Sequence, residues 1–96
     1  MAGSELRADA RLKCNLKASL RLINLGQELA AHCIDASRGG IGIFTSSLLK
    51  VGERLEIWLH FDGQTEPLHR FGRVVWSRFN GLGFRAGIKF ESVYEF

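Results

Sequence analysis

The chain reads as an all-β protein, a small antiparallel barrel of six strands. Three observations predict this. Apolar residues recur at every second position in several short runs, turn-forming residues separate those runs, and no stretch carries the period of an amphipathic helix. At 96 residues and 46% hydrophobic content, the chain can build one domain around one modest core.

The first run is the strictest. Leu12, Cys14, Leu16, Ala18, Leu20 and Leu22 alternate with Lys13, Asn15, Lys17, Ser19 and Arg21, which is the pattern of a half-buried strand. Asn24-Leu25-Gly26-Gln27 supplies a turn, and Leu29 to Ile34 returns as a second strand. An antiparallel hairpin centred near Leu25 carries Arg11 and Asp35 to the same end. Ile41 to Thr45 reads as a third strand, followed by a loop from Ser46 to Gly52.

Leu55, Ile57, Leu59 and Phe61 alternate with Arg54, Glu56, Trp58 and His60 as a fourth strand, ended by the turn Asp62-Gly63-Gln64. Pro67 stands at the entrance to the fifth, where its missing N–H costs least. That strand runs from about Phe71 to Arg78, and Asn80-Gly81 turns the chain into a sixth carrying Phe84, Ala86, Ile88 and Phe90. Residues 91–96 are expected to begin a short C-terminal helical turn. Trp76, in a dense apolar stretch, is expected in the core, Trp58 on the outer face, and most aromatics on the inner face. Residues 1–11, which show no period, are expected to form a flexible arm, and residues 12–96 the single barrel domain.

Composition narrows the function classes. The net charge is +3, and the basic residues are spread over the chain instead of forming the dense stripe of a nucleic-acid binder. No apolar run approaches the ~18 residues that would mark a membrane span. The first residues contain no apolar stretch of the kind that directs secretion, so a cytoplasmic setting is expected. Cys14 and Cys33 lack metal-site spacing and are expected as small core residues, and His32, His60 and His69 as structural or exposed ones. No nucleophile–base pair, metal set or paired carboxylates stands out, so the chain does not read as an enzyme.

Two short pieces carry chemistry. Arg7-Ala8-Asp9-Ala10-Arg11 sets two arginines four residues apart, just before the first strand. Asp35-Ala36-Ser37-Arg38-Gly39-Gly40 ends the second strand with a carboxylate, a hydroxyl and two glycines. Guanidinium forks match phosphate oxygens and the O6/N7 edge of guanine. A carboxylate accepts from the N1–H and N2–H donors on guanine's other edge. Glycines allow close approach of the backbone. Read this way, the arginines are free of a carboxylate partner and open to an anion.

Together, and in this order, the pieces resemble the PilZ family, whose signature is RxxxR followed by [D/N]xSxxG. The matching residues are Arg7 and Arg11, then Asp35, Ser37 and Gly40. The likeness extends to Gly40-Ile41-Gly42-Ile43, Val51-Gly52-Glu53, Gly72-Arg73-Val74-Val75-Trp76 and Gly87-Ile88-Lys89-Phe90. It implies a PilZ-like barrel that binds cyclic di-GMP, takes no further cofactor and signals to a protein partner. Arg7 and Arg11 would clamp the phosphates and one guanine, Asp35 would take a guanine's Watson–Crick edge, Ser37 would add a polar contact, and Gly40, with Gly39, would keep the turn low.

Arg38 is extra to the motif and either reaches a phosphate or stays solvated. Leu6 stands where some members of the family carry another arginine, which favours one dinucleotide per chain. The other reading of the same fold is a PilZ-like protein-interaction module that binds no nucleotide.

Overall fold

Alternation along each strand decides which side chains turn inward. The computed structural model describes residues 10–92. Within them lie β1 (Leu12–Leu22), β2 (Gln27–Ala36), β3 (Gly40–Thr45), β4 (Arg54–His60), β5 (Leu68–Phe79) and β6 (Phe84–Glu91). They close into a barrel in the order β1-β2-β3-β6-β5-β4, with β4 pairing back onto β1 and every pairing antiparallel. Closure gives every strand a neighbour on each side. Each element differs from its expected bounds by only a few residues.

The core is small and aliphatic. Leu20, Ile41, Ile43, Leu55, Ile57 and Val74 are fully buried, as is Leu49 from the loop between β3 and β4. That loop is tied to the barrel at its far end, where the N–H of Gly52 donates to the Val74 carbonyl at 2.8 Å and the N–H of Val74 to the Glu53 carbonyl at 2.9 Å. At the β5–β6 turn, Gly81 takes a φ of 95°, which a side chain would resist. There the Asn80 side-chain oxygen accepts from the N–H groups of Leu82 and Gly83.

Besides a register shift of β1 against β2 between Lys13 and Leu16, two one-residue irregularities shape the site. In β2, Cys33 pairs with Ile43 and Asp35 with Gly42, so Ile34 is an extra residue and Asp35 changes face. Cys33 therefore points into the core while Asp35, two positions on, lies outside over Gly42. In β5, Val74 pairs with Ile88 and Trp76 with Gly87, leaving Val75 as the extra residue.

The second irregularity corrects the expectation for Trp76. It is 40% exposed and Val75 46% exposed, so both lie outside the barrel. The aromatic expectation fails more widely, since no described aromatic belongs to the buried core. Phe44, Phe71, Phe84, Phe90 and Trp58 are half-buried, and Phe61 and Phe79 are exposed. An interior of this size fills with Leu, Ile, Val and Ala, and the larger rings are left to the outer faces and rims.

Cys33 is buried and Cys14 half-buried, both as free thiols. The three histidines are exposed. The expected arm, residues 1–11, lies outside the described residues except for Ala10 and Arg11. The expected C-terminal helical turn falls largely on 93–96, also outside them, while Glu91 closes β6 as strand.

Candidate ligand-binding site

The hairpin register builds the site. Leu12 pairs with Ala36 and Lys13 with Asp35, so Arg11, just before β1, arrives beside the carboxylate that the β2 bulge turns outward. Arg11 Nε donates to Asp35 Oδ1 at 3.0 Å, and Nη2 donates to the same oxygen. The arginine and aspartate side chains remain 48% and 24% exposed. Sequence spacing placed the two at one end of the hairpin, and the structure joins them. It also corrects the reading that the arginines have no carboxylate partner, because Arg11 is held by the site's own aspartate.

Beyond Asp35 the chain turns tightly. The Ser37 N–H donates to the Gly40 carbonyl at 2.8 Å and its hydroxyl to the same oxygen at 3.3 Å, so the hydroxyl serves the turn itself. The Phe90 N–H donates to the Gly39 carbonyl at 2.8 Å, tying the turn to β6. Gly40 admits no side chain, since a Cβ there would stand 2.1 Å from the Ile88 carbonyl oxygen. Gly39 faces open space, so its backbone is accessible from outside.

The floor beside this turn is also made of glycine. Along one row of the register lie Lys13, Asp35, Gly42, Gly87 and Trp76. A Cβ on Gly42 would stand 2.7 Å from Asp35 Oδ1, and one on Gly87 would stand 2.2 Å from Trp76 Nε1. The carboxylate and the indole thus rest over bare backbone, one on each glycine of the pair. Arg78 places its guanidinium carbon 5.5 Å from the Trp76 ring centroid, a cation–π contact that steadies the indole.

A hollow of about 220 Å³ opens here, lined by Arg11, Ser37, Gly39, Gly40, Val75, Trp76, Gly87 and Lys89, among others. Of the residues expected from sequence, Arg11, Ser37, Gly39 and Gly40 line it, and Asp35 holds its rim through Arg11. Arg38 does not. It lines a neighbouring hollow with His69, Arg70, Phe71 and Phe90. Arg7 and Leu6 lie outside the described residues.

Sequence reasoning missed Trp76 and Lys89. The available signal was the alternation Gly40-Ile41-Gly42, answered by Gly87 before Lys89, which marks a strand face kept bare for close approach.

The arrangement offers an exposed guanidinium, a second cation in Lys89, a carboxylate acceptor, open backbone and an indole face. That set suits a planar, hydrogen-bonding, anionic molecule. Among the described residues, no group of three or more His, Cys, Asp or Glu side chains could hold a metal ion. No described helix is long and apolar enough to cross a membrane.

A family model described as PilZ domain matches residues 5–95. Among solved structures, that of the Bacillus subtilis inhibitor of motility, MotI/DgrA, superposes with a TM-score of 0.73 at 13% identity, over 90% of this chain and 43% of that one. The PilZ domain of YcgR from Escherichia coli with c-di-GMP gives a TM-score of 0.67 at 19% identity, over 91% of this chain and 79% of that one. A longer YcgR structure from the same organism, in complex with c-di-GMP, gives 0.69 at 21% identity, over 91% of this chain and 38% of that one. The chain thus spans less than half of MotI and of the longer YcgR structure. At these identities the superpositions show a shared fold. No curated protein matches the sequence.

Proposed function

Because the chain belongs to the PilZ domain family, we propose that it is a receptor for cyclic di-GMP that signals to a protein partner and performs no chemistry on its ligand. One observation carries the reading. Arg11 and Asp35, 24 residues apart in sequence, meet at the rim of a hollow that Ser37, Gly40 and Trp76 complete.

Ligand binding exchanges partners within this set. Arg11 leaves Asp35 and donates to a phosphate oxygen, while guanine N1–H and N2–H donate to the freed carboxylate. The exchange is cheap, because an exposed ion pair is worth only about 0–1 kcal/mol. Charge-assisted bonds replace it on both sides. Arg7 joins from the arm, which becomes ordered over the dinucleotide and presents a new surface to the partner. Leu6 leaves no further guanidinium for a stacked second nucleotide, so one dinucleotide binds per chain. The setting is cytoplasmic, and nucleic acid is not the ligand.

Isothermal titration with cyclic di-GMP, with cyclic di-AMP and GTP as controls, tests the reading. Saturable binding of cyclic di-GMP alone, one per chain, is expected, and silence up to high micromolar concentration at low salt would remove it. The alternative, a protein-interaction module that binds no nucleotide, gains from one observation: Arg11 has Asp35 of the same chain as its partner. It predicts partner capture that cyclic di-GMP leaves unchanged.

A further inference from the structure

Cys14 and Cys33 are the chain's only cysteines; Cys33 stands at the β2 bulge that turns Asp35 outward, and Cys14 at a register shift of β1 against the same stretch of β2. Between the pairs Lys13–Asp35 and Leu16–Cys33, two residues of β1, Cys14 and Asn15, oppose one of β2, Ile34. The two sulfurs lie 3.5 Å apart. The Cys33 thiol also donates to the backbone carbonyl of Asp35 at 3.3 Å, so this pair touches the main chain of the residue that holds Arg11.

The thiols differ in access. Cys14 is half-buried, whereas Cys33 is wholly enclosed. Burial, and then the neighbouring Cys14, pushes the Cys33 thiol from 9.0 up to about 12, so it holds its proton and reacts poorly with a reagent in solution. An attacker from solvent meets Cys14 first, with Cys33 waiting beside it.

We propose that Cys14 and Cys33 form an oxidation-sensitive dithiol, which a hydroperoxide converts into a disulfide that reshapes the Asp35 bulge and weakens dinucleotide binding. Cys14, as thiolate, attacks the peroxide oxygen. The O–O bond breaks, an alcohol or water leaves, and Cys14 becomes a sulfenic acid. The Cys33 sulfur then attacks the Cys14 sulfur, its proton goes to the departing hydroxide, and water leaves. Two thiols and one hydroperoxide give one disulfide, one alcohol and one water. A disulfide needs its sulfurs about 2.05 Å apart, so the 3.5 Å gap closes by turning both side chains and shifting the backbone they hang from. The Cys33 S–H bond to the Asp35 carbonyl is lost in the same step.

The regulatory half of this proposal rests on the receptor reading, and the dithiol half does not. The test treats the whole chain with hydrogen peroxide, then measures intact mass and non-reducing mobility before any ligand is added. The expected result is a monomer lighter by two hydrogen atoms, restored by dithiothreitol. A chain-to-chain disulfide, or oxygen added at Cys14 with no cross-link, overturns the dithiol.

Titration with cyclic di-GMP follows on the reduced and oxidised forms. A several-fold loss of affinity on oxidation, reversed by reductant and absent in both Cys14→Ser and Cys14→Ala, is expected. Equal affinity of the two forms overturns the regulation. If the reduced protein binds no cyclic di-GMP, the receptor reading and with it the regulatory half fall, and the mass measurement alone decides the dithiol.

Discussion

The indole of Trp76 covers Gly87 so closely that a Cβ on that glycine would stand 2.2 Å from Nε1. The contact exists because the β5 bulge at Val75 puts Trp76 opposite Gly87 on the outer face. Gly87→Ala should therefore push the indole off its seat. Overpacking of this kind typically costs about 1–3 kcal/mol. The expected outcome is a red-shifted tryptophan emission, a modest fall in melting temperature and weaker dinucleotide binding. Unchanged emission would mean that Trp76 does not rest on Gly87.

Gly40 tests a different contact. A Cβ there meets the Ile88 carbonyl oxygen at 2.1 Å, and backbone cannot swing aside as a side chain can. Gly40→Ala should lower stability more than Gly87→Ala, because β3 and β6 must part at Gly40–Lys89. Chemical denaturation of the two variants side by side checks the order.

Arg11→Ala removes a charge that is half in solvent, so it should cost no more than about 1 kcal/mol of stability. It should abolish cyclic di-GMP binding. Calorimetric titration and a thermal melt on the same sample separate the two effects. If the variant unfolds instead, Arg11 is a structural residue.

Asp35→Ala should weaken binding and narrow the preference for cyclic di-GMP over cyclic di-AMP, since the acceptor for guanine N1–H and N2–H is gone. Loss of affinity with the preference intact would assign Asp35 only to positioning Arg11.

Burial raises the Cys33 thiol to about 12 in the fold against 9.0 when it is free. The folded state thus binds this proton more tightly than the unfolded one. Its contribution to stability is complete below about pH 9 and is lost as pH climbs towards 12. At pH 8 a thiol reagent should modify Cys14 alone in the native protein and both cysteines after denaturation. Equal rates for both thiols in the native state would contradict the burial.

Six strands and their turns were legible because each strand has one wet face and one dry face, which writes a period of two into the chain. The Arg11–Asp35 meeting was legible for a related reason: an antiparallel hairpin with a short turn has a fixed register. Trp76 was misread because one extra residue, Val75, reverses the inward–outward count, and a bulge leaves no mark in composition. The Arg11–Asp35 ion pair was missed because sequence gives neighbours and not side-chain partners.

Local sequence alone determined the strands, the turns and the two motif halves, since periodicity and turn chemistry act over a few residues. Tertiary structure alone decided the face of Asp35 and Trp76, the glycine floor between them, and the contact between Cys14 and Cys33. Each depends on where a bulge falls relative to a partner strand, and that is settled by barrel closure, which brings residues far apart in the chain into one register.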